Sequence, residues 1–202
     1  MSAKIITISG YKGGISKSTS AIHLAAFFAE RGSVVLVDGD PNRTALNWAA
    51  RGNGGLGFDC VDERRAMKAI TGRDFVIFDT PARPDSSDLK EMAQGCDLLI
   101  LPTTPDIVSL EPMLAIAKDL GRAPYRALIS IVPPAPSREG ETMLEDLKAN
   151  KVPVFSTLIR RTVGYQKAAL AGRTVKDIDD YRARQAWEDY ERLGLEILEL
   201  IK

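Results

Sequence analysis

The stretch Gly10-Tyr11-Lys12-Gly13-Gly14-Ile15-Ser16-Lys17-Ser18-Thr19 decides the fold, because of what stands on either side of it. Residues 5–9, Ile-Ile-Thr-Ile-Ser, read as a buried strand, and residues 19–31 put Ala21, Leu24, Ala25 and Phe28 on one helical face before Gly32 ends the helix. A glycine-rich turn between a strand and a helix aims backbone N–H groups at phosphate oxygens, and the helix starting at Lys17 adds the positive end of its dipole. Gly10, Gly13, Gly14, Ile15, Ser16, Lys17, Ser18 and Thr19 are therefore the candidate phosphate-binding residues. Lys17 is expected to meet β- and γ-phosphates, and the Ser18 hydroxyl to complete the coordination of Mg²⁺. The usual pattern has glycine immediately before the lysine, where this chain has Ser16. If the backbone there needs a positive φ, serine carries a strain of about 1 kcal/mol.

Working outward, short β-branched runs alternate with longer helical patterns. That order predicts an α/β fold, a mostly parallel twisted sheet with helices on both faces. Further strands are expected at residues 34–37, 75–78, 98–101 (ended by Pro102), 127–131 and 154–158. Helices are expected at 44–50, 62–70, 111–120, 141–149 and 184–201. Residues 52–57 and 133–140 read as surface loops, so residues 1–202 are expected to form one domain.

A chain of 202 residues with 45% hydrophobic and 27% charged residues has globular composition. Its formal net charge is zero, so any attraction to nucleic acid or membrane must come from a local cluster. Cys60 and Cys96 match neither a zinc site nor a disulfide framework. No signal peptide or membrane span is visible, and the expected location is cytoplasmic. His23, the only histidine, reads as structural.

Two acidic strand ends accompany the loop. Val35-Leu36-Val37-Asp38-Gly39-Asp40-Pro41-Asn42 places Asp38 and Asp40 at the carboxyl end of a strand, where open α/β sheets bind ligands. Asp74-Phe75-Val76-Ile77-Phe78-Asp79-Thr80-Pro81 ends a second apolar strand in Asp79, expected to bind Mg²⁺ through water.

Lys12, ahead of the phosphate turn, resembles the signature lysine of the deviant Walker family of P-loop ATPases, which includes ParA, MinD and the nitrogenase iron protein. The resemblance runs through the whole chain in family order, and small ParA-like proteins match best. It implies the deviant Walker P-loop NTPase fold, with ATP and Mg²⁺ as ligands. Lys12 would reach the nucleotide of a partner subunit in an ATP-dependent homodimer. Asp40 maps to the aspartate that matters for hydrolysis, with Asp38 in the metal and water shell. Residues 80–88 resemble a switch loop responding to the γ-phosphate, although Arg83 stands near a place where many relatives have glycine. Leu101-Pro102-Thr103-Thr104-Pro105-Asp106 resembles the segment that shapes the pocket and dimer face. Pro133 and Pro134 either border the adenine or form an ordinary loop. By the same resemblance Arg160, Arg161, Lys167 and Arg173 would bind nonspecific DNA, placing the protein at the nucleoid; the alternative is a solvated surface paired with nearby acids. A ParB-like or McdB-like adaptor would stimulate slow hydrolysis. The closing helix is acidic, which separates this chain from membrane-anchored MinD and argues against a membrane partner. Two other readings stay open on sequence alone: a metabolic P-loop enzyme such as a dethiobiotin synthetase or small-molecule kinase, and a nonhydrolysing nucleotide-sensing scaffold. The cargo is not readable.

Overall fold

The structure, a computed structural model, describes residues 2–202. Six strands, β1 (Lys4–Gly10), β2 (Val34–Asp38), β3 (Asp59–Asp62), β4 (Phe75–Ala82), β5 (Leu98–Thr103) and β6 (Tyr125–Ile129), form one sheet in the order β3-β2-β4-β1-β5-β6. Every neighbouring pair is parallel. The helices are α1 (Lys17–Ala29), α2 (Thr44–Arg51), α3 (Ala66–Ala69), α4 (Ser86–Gln94), α5 (Ile107–Leu120), α6 (Glu139–Ala149), α7 (Gly164–Ala171) and α8 (Tyr181–Leu200). None of them is long and apolar enough to cross a membrane.

Strand residues are apolar on both sides because both faces are covered, and the pleat sorts them by parity. Ile6, Ile8, Leu36, Ile77, Leu98, Ile100 and Leu128 face a core completed by α1, α2, α7 and α8. Leu99, Leu101, Ala127 and Ile129 face the opposite way, onto α4, α5 and α6. Val35, Val37 and Val76 extend that second face toward α3. Helix α8 can approach α1 closely only because residue 194 is glycine: a Cβ there would lie 2.3 Å from a ring carbon of Phe27. This contact seats α1, and with it the loop that precedes it.

Strand β1 is central, with β4 on one side and β5 on the other. The chain leaves β1 for β2 and β3, returns as β4, then crosses to β5 and β6. The carboxyl ends of β1, β2 and β4 therefore meet at the point where the strand order reverses, which is where ligands bind in such sheets.

Several elements differ from expectation. The helix expected at 62–70 is a 3₁₀ turn at Glu63–Arg65 followed by the single turn α3, and the strand β3 before it was not expected; an edge strand of four residues with an acid at each end carries too little hydrophobic pattern to be recognised. Strand β5 runs through Pro102. The missing N–H there falls on the side facing β1, whose pairing with β5 has already ended at Ile100. Residues 80–88 are not one loop. Strand β4 continues to Ala82 and α4 starts at Ser86, capped by Asp85, whose side chain accepts from the amides of Ser87 and Asp88. Helix α5 starts four residues before Glu111, leaving Pro112 inside it. The carbonyl that loses its partner, that of Val108, belongs to an exposed residue. Residues 154–158 form no full strand, only one parallel bridge to β6 (Ala127 with Val154); a second, Val132 with Arg160, lies just beyond both segments. Helix α7 lies where the sequence showed only a basic stretch.

Candidate functional site

The loop between β1 and α1 is shaped by two positive φ angles, 76° at Gly14 and 70° at Ser16. Serine thus occupies the left-handed conformation that makes glycine usual at this place. The loop is anchored by Ile15, which is 1% exposed. A Cβ on Gly10 would lie 2.4 Å from the Ile15 Cδ1, so the strand must end in glycine for that anchor to fit. The Ser130 hydroxyl donates to the Ile15 carbonyl at 3.2 Å, tying the loop to the end of β6.

Lys17 is 7% exposed at the first turn of α1. Burial pulls its pKa down, opposed by the charges of Asp79 and Asp40. Asp79, at 0% exposure, has neither carboxylate oxygen hydrogen-bonded among the described residues. Burial pushes its pKa up to about 7; the Ser18 hydroxyl opposes this, Asp38 adds to it, and Lys17 opposes it. A buried, unpartnered carboxylate beside a hydroxyl and a lysine lacks a cation. Mg²⁺ fits this place, since it takes few protein oxygens and completes its shell with water and phosphate. Consistently, no group of three or more His, Cys, Asp or Glu among the described residues forms an all-protein metal cage.

Of the two aspartates at the carboxyl end of β2, the structure brings only one to the lining of this cavity. Asp38 Oδ1 accepts from the Asp40 amide at 3.1 Å and Oδ2 from the Leu46 amide at 2.9 Å, so both oxygens hold the turn and the start of α2. Asp38, expected in the metal and water shell, does not line the phosphate cavity. Asp40 lines a cavity of about 300 Å³ together with Gly13, Lys17 and Ser18. Its Oδ1 accepts from the Asn42 backbone and side chain at 2.8 and 2.9 Å, and Oδ2 takes no bond among the described residues.

A second cavity of about 370 Å³ shares Gly14, Ser16 and Thr19 with the first, and is closed by Ile131, Arg161, Tyr165 and Gln166. Pro133 and Pro134, expected to border a base, do not line it. The chain turns away at Ile131, whose φ of 58° is unusual for a β-branched residue. The buried Tyr165 hydroxyl has no partner among the described residues.

Lys12 does not point free into solvent. Its Nζ donates to the Ser109 Oγ at 2.6 Å and stands 3.7 Å from the Asp106 carboxylate. Asp106 in turn accepts from Thr104 at 2.5 Å and Ser109 at 2.8 Å. Burial works against that carboxylate, yet these hydroxyls and Lys12 hold its pKa below the usual range. The sequence reading missed Ser109 as the partner of Lys12; the hydroxyl-rich run from Thr103 to Ser109 was the available signal.

Three of the four late basic residues are exposed, but most of them are paired. Arg160 makes a two-pronged pair with Asp189 at 2.6 and 2.8 Å, and Asp189 is 1% exposed. Lys167 pairs with Asp180 at 2.6 Å, and Arg173 donates to the Gly55 carbonyl at 2.9 Å. Arg161 alone of the four makes neither an ion pair nor a side-chain hydrogen bond among the described residues.

Residues 6–175 match the family described as the CobQ/CobB/MinD/ParA nucleotide binding domain. The chain is 32% identical over 202 residues to the maintenance of carboxysome distribution protein A of Gloeobacter kilaueensis, covering 96% of this chain and 94% of that one. In fold it is similar to a plasmid partition protein of Borrelia burgdorferi bound to AMPPNP, with a TM-score of 0.71 at 19% identity over 96% of this chain and 99% of that one. It is also similar to the septum site-determining protein MinD of Pyrococcus horikoshii complexed with Mg-ADP, with a TM-score of 0.69 at 19% identity over 98% and 97% of the two chains.

Proposed function

This chain belongs to the CobQ/CobB/MinD/ParA nucleotide-binding family, and from that premise we propose that it is an ATP-driven positioning ATPase working as one domain over residues 1–202. The observation that carries this reading is the orphan Asp79 carboxylate, buried beside Lys17 and Ser18 where the phosphate loop turns. The smaller cavity takes the triphosphate and the larger one the adenosine, with Ser16 between them.

The Ser18 hydroxyl and, through water, Asp79 would hold Mg²⁺, which would supply charge neutralisation at the phosphates. Lys17 neutralises the β- and γ-phosphates from the loop side, and its depressed pKa recovers when they arrive. Asp40 orients the attacking water through the carboxylate oxygen that the chain leaves unbonded. Asp38 acts one step back, fixing the turn that carries Asp40.

The nucleotide then controls assembly. Lys12 leaves Ser109 and Asp106 and crosses to the nucleotide of a second copy, in a sandwich dimer. Ile107 and Val108, 74% and 76% exposed beside Asp106, supply apolar surface for that contact. The dimer holds nonspecific DNA of the nucleoid, with Arg161 the first of the basic residues available to phosphates. A ParB-like or McdB-like adaptor stimulates hydrolysis and release, in the cytoplasm and without a membrane. Resemblance to a carboxysome distribution protein makes an intracellular organelle the leading cargo.

Sedimentation with MgATP tests the cycle. Wild type is expected to dimerise and co-sediment with duplex DNA, and Lys12→Ala to stay monomeric while still binding ATP. A wild type that remains monomeric with ATP bound refutes the switch.

A further inference from the structure

Arg83 directly follows Ala82, which lines the phosphate cavity, and lies in the 80–88 segment, where the resemblance assigned it no role. Gly10 and Ala82 are paired at the ends of β1 and β4, and the Arg83 amide donates to the Gly10 carbonyl at 3.1 Å. Arg83 is thus fastened to the residue where the phosphate loop begins, directly after Ala82, which lines the cavity. Its φ is 64°, the left-handed region, and it precedes Pro84, which further narrows the backbone choices of its neighbour. Two restrictions hold an arginine where glycine would sit without strain. Such outliers concentrate at ligand clamps and switch segments.

The side chain is exposed and makes no ion pair among the described residues. The cavity beside it is short of positive charge: Lys17 faces Asp79 and Asp40, Asp38 lies behind, and Lys12 is tied to Ser109 and Asp106. The geometry also selects an end of the nucleotide. Gly14, Ser16 and Thr19 line both cavities, whereas Ala82, Asp40 and Asn42 line only the phosphate cavity, at the end away from the nucleoside.

We infer that Arg83 folds over this cavity and holds the γ-phosphate of ATP bound to its own chain, so that it distinguishes ATP from ADP. This rests on the nucleotide reading above. A planar guanidinium can grip two phosphate oxygens at once, which a lysine cannot.

Calorimetric titration with MgATP and MgADP separates the two claims, using wild type, Arg83→Lys and Arg83→Gly at monomeric concentrations, each checked by thermal melting. Glycine accepts the positive φ, so Arg83→Gly is expected to melt at or above the wild-type temperature. ATP affinity should fall about tenfold or more, and ADP affinity change less than about twofold, with Arg83→Lys between. Equal losses for both nucleotides, or no loss for either, overturn the inference. So does a loss seen only where sedimentation finds dimers, which would make the contact one between subunits. Binding of neither nucleotide by the wild type overturns the nucleotide reading itself.

Discussion

Lowering the pH should unlock the helix behind the phosphate loop through one side chain. His23 is fully buried, and its two ring nitrogens have opposite partners: the Thr19 carbonyl at 2.7 Å from Nδ1 and the Val175 amide at 3.1 Å from Nε2. A carbonyl only accepts and an amide only donates, so the proton sits on Nδ1 and the ring is neutral. The ring also stacks on Tyr190 with centroids 4.8 Å apart. A second proton would face the Val175 N–H. Burial accordingly lowers the pKa to about 4, while the Thr19 carbonyl and the charge of Asp177 pull the other way. With the folded pKa below the ordinary 6.5, the unfolded chain binds more protons between these values. The stability contributed is present above pH 6.5 and is lost as the pH falls toward 4. Between pH 7 and 5 the loss is about 2 kcal/mol. Urea unfolding of wild type and His23→Asn at pH 7, 6 and 5 isolates this share: the variant is less stable at pH 7, and the gap should narrow by that amount at pH 5. Because this is the only histidine, its NMR titration is unambiguous. Native-state titration near 6.5, or a gap independent of pH, refutes the reasoning.

Ser16→Gly should stabilise the protein by about 0.5 kcal/mol or less, the relief of left-handed strain less the added freedom of the unfolded chain; thermal melting checks it. Gly194→Ala should destabilise it by about 1–3 kcal/mol in urea, because the new methyl meets the Phe27 ring and α8 must shift. In filter binding with duplex DNA, Arg161→Glu should weaken binding and flatten its salt dependence. Arg160→Glu should instead lower the melting temperature by placing a second acid beside buried Asp189.

The strand-loop-helix around Lys17 was legible because every local signal agreed there: a β-branched run, glycines, a lysine and hydroxyl, then apolar residues at helical spacing. The parallel sheet followed from alternation of elements, and even the positive φ at Ser16 was readable from the missing glycine. What the sequence hid depends on distance along the chain. Whether Arg160 is free or paired is decided by Asp189, and Arg173 is engaged by a carbonyl in the 52–57 loop. Asp38 and Asp40 look alike in sequence; only the position of α2, which donates the Leu46 amide to Asp38, separates a supporting carboxylate from one that faces the cavity. Strand β3 was missed because a short edge strand carries little pattern, and α4 because its acidic cap was read as part of a loop.

The most direct test is calorimetric titration of ATP into wild type and Asp79→Asn, each with Mg²⁺ and with EDTA. The account predicts that Mg²⁺ strengthens ATP binding at least tenfold in the wild type and by less than about twofold in Asp79→Asn, which removes the charge awaiting the cation. Equal magnesium dependence in the two proteins, or no ATP binding by the wild type, contradicts it.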